Sequence, residues 1–170
     1  MLSAVSELTN KLYQYVGPAE IRAAIDHGRG TAIECAADLA TWVRAQNEGH
    51  QLIATYVLDD QRTLRVAPRR SEHVACAGGQ PVYAAGELEA TAEGDVVAVS
   101  NQSTGYCPDP SCWLELEAAL EAASLVHPGR FTVEITFRRC PECGQRNIVK
   151  DNWFECDVCG AALPTAWNFA

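Results

Sequence analysis

The stretch Cys140-Pro-Glu-Cys143-Gly144-Gln-Arg-Asn147-Ile-Val-Lys150-Asp151-Asn152-Trp153-Phe-Glu155-Cys156-Asp-Val-Cys159-Gly160 decides how the rest of the chain is read. Two Cys-x-x-Cys pairs at this separation can wrap four thiolates around one metal ion. The residues between the pairs, Gly144 to Glu155, suffice for a short hairpin. Residues 147–150 run out, Asp151 and Asn152 turn, and residues 153–155 return. Each pair then sits on a knuckle. Gly144 and Gly160 follow the second cysteine of each pair and suit a tight turn that brings backbone N–H groups toward sulfur. Four thiolates leave no open coordination position, so the metal is expected to hold structure and not to perform chemistry.

In ligand type and spacing the stretch resembles a zinc ribbon, which implies one structural Zn2+ held by Cys140, Cys143, Cys156 and Cys159. Iron in the same sulfur site, as in rubredoxin, is the minor variant. A redox dithiol is disfavoured because the βαβ setting of such motifs is missing.

Working upstream, only Arg138 and Arg139 separate the first pair from Phe131, Val133, Ile135 and Phe137, which alternate with Thr132, Glu134 and Thr136. That alternation predicts a half-buried strand leading into the ribbon without a flexible linker. Before it, Asp109 can cap and Pro110 can start a helix with Trp113, Leu116, Leu120 and Ala123 on one face, ended by His127-Pro128-Gly129. Strands are predicted over 52–58 and 63–66 around Asp59-Asp60-Gln61, and over 82–90 and 96–100 around Glu93-Gly94-Asp95. The N-terminal third reads as helical. Residues 2–15 give a weak amphipathic helix with Leu8, Leu12 and Tyr15 on one stripe, and Pro18 opens a second helix that runs to Asp26 before His27-Gly28-Arg29-Gly30 breaks it. Thr31-Ala32-Ile33-Glu34 reads as a capping box for a third helix to about Gln46, with Cys35 and Trp42 placed in the core. The expected architecture is α+β. Residues 1–137 form a unit with a helical part (1–47) and a mainly antiparallel β-rich part (51–137), and residues 138–170 form the ribbon packed on it. Trp167, Asn168 and Phe169 are expected to fold back onto ribbon or sheet.

The net charge of −9 argues against a nucleic-acid partner, since binding driven by counterion release needs a basic face. In the ribbon, Arg138, Arg139, Arg146 and Lys150 are offset by Glu134, Glu142, Asp151, Glu155 and Asp157. Acidity is concentrated between Arg70 and Arg130, where no Lys or Arg occurs, and reads as a solvated face that keeps the chain soluble, or as a surface for a basic partner. Arg65, Arg69 and Arg70 could pair with it or hold an anion. No apolar run suits a membrane span, and the start of the chain lacks the pattern of a signal peptide. Thiols committed to a metal imply a reducing compartment, so the cytoplasm is the expected location.

Function is sought in the polar loops at strand ends: Glu72-His73-Val-Ala-Cys76-Ala-Gly78-Gly79, Ala84-Ala85-Gly86-Glu87 and Asn101-Gln-Ser103-Thr-Gly105-Tyr106-Cys107-Pro108. Glu72, His73, Glu87, Asn101, Ser103 and Tyr106 supply donors and acceptors for a ligand, and the glycines let a substrate approach the backbone. The competing reading is that Asn101 and Ser103 bond to their own loop. Over residues 72–126 the order of parts resembles a segment of plant IQ-motif calmodulin-binding proteins and of some bacterial toxin-like C-termini. There a His-Ser-Ser run, a Gly-Gly pair, an Ala-Gly strand and a Ser-Gly-His-Tyr-x-Pro loop precede a helix. Gly78, Gly79, Ala85, Gly86, Ser103, Tyr106 and Pro108 fall on shared positions, whereas Glu72 and Gly105 stand where that pattern has histidine. The resemblance implies a shared fold and a ligand-facing loop; it implies no activity, and without an IQ motif no calmodulin binding.

His73, Cys76, Cys107 and Cys112 form a possible second zinc set. The favoured function is recognition: an adaptor that binds another protein or a small ligand through residues 101–108 and the ribbon's exposed edge. The alternative is an enzyme of unknown reaction working through Glu72, His73, Ser103, Tyr106 or Cys107.

Overall fold

Strand β2 (Gln51–Asp59) is the centre of the molecule because it is apolar on both faces. Leu52, Ala54, Tyr56 and Leu58 point to one side, and Thr55 and Val57 to the other; all are buried. The computed structural model, which describes residues 7–26, 28–46 and 49–170, places β2 in a five-stranded antiparallel sheet of order β1-β3-β2-β4-β5. The other members are β1 (Thr31–Ile33), β3 (Leu64–Pro68), β4 (Val82–Thr91) and β5 (Val96–Val99). Helices α2 (Ala36–Ala45) and α4 (Trp113–Ala122) bring Leu39, Val43, Leu116 and Leu120 to the core, and both contact β4. Short α3 (His73–Cys76) contacts β2 and β3. A separate two-stranded sheet, β6 (Thr136–Arg139) against β7 (Arg146–Val149), begins the ribbon. The expected α+β class is the observed one, with α1 reduced to Ala19–Ala23.

Several local expectations are corrected. Residues 7–15 are not helical: Asn10 adopts a left-handed φ of 52°, and Tyr13 exchanges both backbone hydrogen bonds with Val82 (2.7 and 3.0 Å). Pairing that extends the sheet outweighs a weak helical stripe. Leu8 and Leu12 accordingly stay about 40% exposed while Tyr13 is buried. Residues 2–6 and His27 lie outside the described residues. Thr31-Ala32-Ile33 is not a capping box but β1, registered Thr31↔Val66 to Ile33↔Leu64. Helix α2 starts after Cys35, where the Asp38 carboxylate accepts the Glu34 N–H (2.9 Å), so Cys35 is exposed instead of core.

The strand predicted over 131–137 is confined to β6. Residues before it cross the end of β5, and Val133 is 52% exposed. There Thr132 Oγ1 accepts the Val99 N–H (2.8 Å) and donates to the Val99 carbonyl (3.0 Å). β7 takes β6 as its partner instead of residues 153–155, since the chain arriving from the main sheet already offers a free edge.

Gly86 permits a close approach: a Cβ there would stand 2.0 Å from the Ser100 carbonyl oxygen, which also accepts the Tyr56 hydroxyl proton (2.7 Å). On the opposite side, the fully buried Asp59 accepts N–H groups of Gln61 and Thr63 (2.9 Å each) and pairs with Arg65 at 2.6 Å.

Candidate metal centre and the adjoining groove

The two cysteine pairs fold into matching knuckles. In the first, Gly144 N–H donates to the Cys140 carbonyl (2.9 Å) and Cys140 N–H to the Gln145 carbonyl (2.8 Å). In the second, Gly160 N–H donates to Cys156 (2.9 Å) and Cys156 N–H to Ala161 (2.8 Å). Gly144 and Gly160 carry φ of 77° and 74°, the left-handed turn their positions called for. The Sγ atoms of Cys140, Cys143, Cys156 and Cys159 lie within 4.8 Å of one another, with Cys140–Cys159 at 3.5 Å and Cys143–Cys156 at 3.6 Å. A tetrahedral zinc tetrathiolate, with metal–sulfur bonds near 2.3 Å, needs sulfur separations of about 3.8 Å. The four cysteines could therefore hold one metal ion, and the donor set suits zinc.

Sulfur charge is met by local donors. The Cys156 thiol is pushed down to about 6, first by a backbone hydrogen bond from Cys159, then by the Val158 N–H and the Asn147 carboxamide. Leu163, Val149, Phe154 and Ala161 pack against Cys140 and Cys156.

His73, Cys76, Cys107 and Cys112 are not gathered: among the described residues the four ribbon cysteines are the one set placed to share an ion. Burial pushes the Cys76 and Cys107 thiols up to about 12 and raises Cys112 further, which leaves all three protonated and poorly nucleophilic.

Most of the six polar residues expected to face a ligand are engaged within the fold. Glu72 is exposed at the start of α3, while His73 Nε2 meets the Gly86 carbonyl at 2.9 Å. Glu87 pairs with Arg69 (3.2 Å). Asn101, Ser103 and Tyr106 are buried. The Tyr106 hydroxyl donates to the Gln80 carbonyl (2.7 Å), and Ser103 Oγ accepts the Tyr106 N–H (3.3 Å). Asn101 donates to Ile135 O (2.8 Å) and accepts from Ile135 N (2.7 Å), so its side chain stands in for a strand partner where the main sheet leads into the ribbon.

What the loop 101–108 does present is backbone and the exposed side chains of Gln102 and Thr104, while Cys107 is buried. Thr104 and Cys107 form one wall of a groove of about 470 Å3 whose other wall is ribbon, including Gln145, Arg146, Ile148, Lys150 and Asp157. Arg146 Nη1 reaches across it to the Thr104 carbonyl. Beside the groove, the turn at Asp151 and Asn152 (φ 52° and 57°) returns the chain so that Trp153 N–H bonds the Lys150 carbonyl (2.9 Å). The Trp153 side chain is left 67% exposed, and Val158 on the second knuckle equally so. The sequence pattern places Trp153 in the returning strand of a hairpin, which the structure does not form. The signal available is an indole directly after Asp151 and Asn152, with the neighbouring Phe154 as the residue that packs in the ribbon cluster.

No helix among the described residues is long and apolar enough to cross a membrane. Comparison with family models, curated proteins and solved structures returned no match.

Proposed function

We propose that this chain is a cytoplasmic zinc-ribbon recognition protein that binds a polypeptide partner along the groove between the loop 101–108 and the ribbon. The observation that carries this reading is a 67% exposed Trp153, bonded through its N–H to the carbonyl of the groove residue Lys150, on a ribbon whose own core is too small to cover it. Exposed indole forgoes a large burial gain in the free protein, and tryptophan is among the residues that dominate binding energy when a partner covers it. The groove's cations, Arg146 and Lys150, stand against one acid, Asp157, within a chain of net charge −9. Arg146 and Lys150 would pair with carboxylates of a bound segment. Zn2+ in this reading is structural: it fixes the two knuckles that bear Gln145, Asp157 and Val158. The likeness of residues 72–126 to the plant IQ-motif segment is taken as one of framework, with the partner contacted by the exposed Thr104.

Random-peptide display against the zinc-loaded protein tests the proposal, with Trp153→Ala and Lys150→Glu as parallel targets. The expected result is an enriched family carrying acidic residues whose binding falls at least about tenfold in either variant, the scale of one lost hot-spot contact. Absence of any enriched family, or enrichment indifferent to both substitutions, overturns it.

A further inference from the structure

The side-chain carboxamide of Asn147 is 3% exposed, and its contacts all end on the cysteine knuckles. Nδ2 donates to the Gln145 carbonyl (3.0 Å) in the first knuckle and to Cys156 Sγ (3.5 Å) in the second. Oδ1 accepts the Asp157 N–H (3.0 Å). The orientation of the amide is fixed without reference to sulfur, because the Asp157 N–H requires an oxygen opposite it and the Gln145 carbonyl requires an NH2. The remaining N–H is then aimed at Sγ by geometry alone. Asn147 reaches this position because β7 pairs it with Arg138 in register, two residues before Cys140.

We propose that Asn147 is a positioning residue for the metal, holding the two knuckles at ligand separation and donating a hydrogen bond that tempers the charge on the Cys156 thiolate. This rests on the reading that the four-cysteine site holds zinc. Four thiolates around one divalent ion carry a net charge of −2, and N–H donors to sulfur spread it. Cys156 receives the backbone N–H groups of Cys159 and Val158, the latter at 3.5 Å, and among side chains that of Asn147. Outer partners of this kind typically change metal affinity about 10–100-fold when removed.

The first test uses the unaltered chain loaded with 113Cd and analysed by NMR. Scalar coupling across N–H···S bonds should link the metal to the Asn147 side-chain amide protons as well as to the Val158 N–H. The second uses Asn147→Asp, which keeps the acceptor for Asp157 but loses both donors. Zinc affinity by chelator competition should fall about 10–100-fold, and in the cobalt-loaded variant the thiolate-to-metal charge-transfer band should move to lower energy. A wild-type chain that takes up no metal sinks the zinc reading and this role with it. Loading of one ion with coupling to Val158 but none to Asn147 overturns the Asn147 role alone, as does a variant with unchanged affinity and band position.

Discussion

A carboxamide side chain offers one donor edge and one acceptor edge, the same pair a peptide group offers a neighbouring strand. Asn101 uses both on Ile135, and Asn168 uses both on Arg139, accepting from its N–H (2.8 Å) and donating to its carbonyl (2.7 Å). Such residues are read from sequence as polar and available, whereas here their polarity is spent inside the protein. Ser103 and Tyr106 belong to the same class. Ser103→Ala with Tyr106→Phe should cost about 1–3 kcal/mol for each buried partner left unmatched. Urea unfolding decides it, and a total loss below about 1 kcal/mol would mean the hydroxyls are free for a ligand after all. His73 supplies a pH test. Desolvation lowers its pKa from 6.5, outweighing the Gly86 carbonyl and the Glu87 and Glu72 charges, which act in the opposite direction. The folded chain therefore binds fewer protons than the unfolded one just below pH 6.5, and stability falls as pH drops through that window. His73→Gln, which retains an N–H donor without titrating there, should give a flatter stability profile than wild type between about pH 7 and pH 5. Parallel profiles would contradict this account.

Elements whose own periodicity decides their burial were legible: β2, β3, β4, β5 and α4 follow from alternation, turn residues and the Asp109 cap, whose carboxylate accepts the Ser111 N–H (3.0 Å). Elements decided by a distant partner were not. Thr31–Ile33 becomes a strand because β3 offers an edge, and residues 9–13 leave the helix because Val82 and Glu115 capture them, the latter through the Asn10 N–H at 2.7 Å. Knuckle spacing made the four cysteines readable, but the groove beside them depends on how the loop 101–108 meets the ribbon, which no local pattern encodes. The crossing of β4 by the Ser100–Asn101 backbone is the most exacting of these nonlocal fits. Gly86→Ala should destabilise at or above the upper end of the about 1–3 kcal/mol typical of overpacking, because the obstructing atom is backbone. A thermal midpoint unchanged from wild type would show that the two segments can separate without penalty.

The described residues form two apolar clusters of very different size, and of these the main sheet's cluster has the breadth to persist alone. Removing metal should open residues 136–163 to hydrogen exchange while β2 and β4 stay protected. Thiol chemistry should report the same event: exposed Cys35 reacts first in the loaded protein, and chelation adds the four ribbon thiols before Cys76 or Cys112. Simultaneous exposure of all eight would mean the ribbon and the sheet unfold as one unit. The terminal segment ties the two together. Arg138 donates to the Pro164 and Thr165 carbonyls (3.1 and 2.6 Å), and the Trp167 indole donates to the Cys107 carbonyl (2.7 Å) while packing edge-on against Tyr13. The amide of Asn101 has a consequence for anyone cutting the chain. A fragment ending before Ile135 would strip that buried side chain of a donor and an acceptor at once, and one ending before Trp167 would uncover Tyr13. A cut at the first cysteine pair keeps Ile135 with Asn101 but removes Trp167, so that boundary too is a poor place to divide the protein, and the terminal segment belongs to the main sheet as much as to the ribbon.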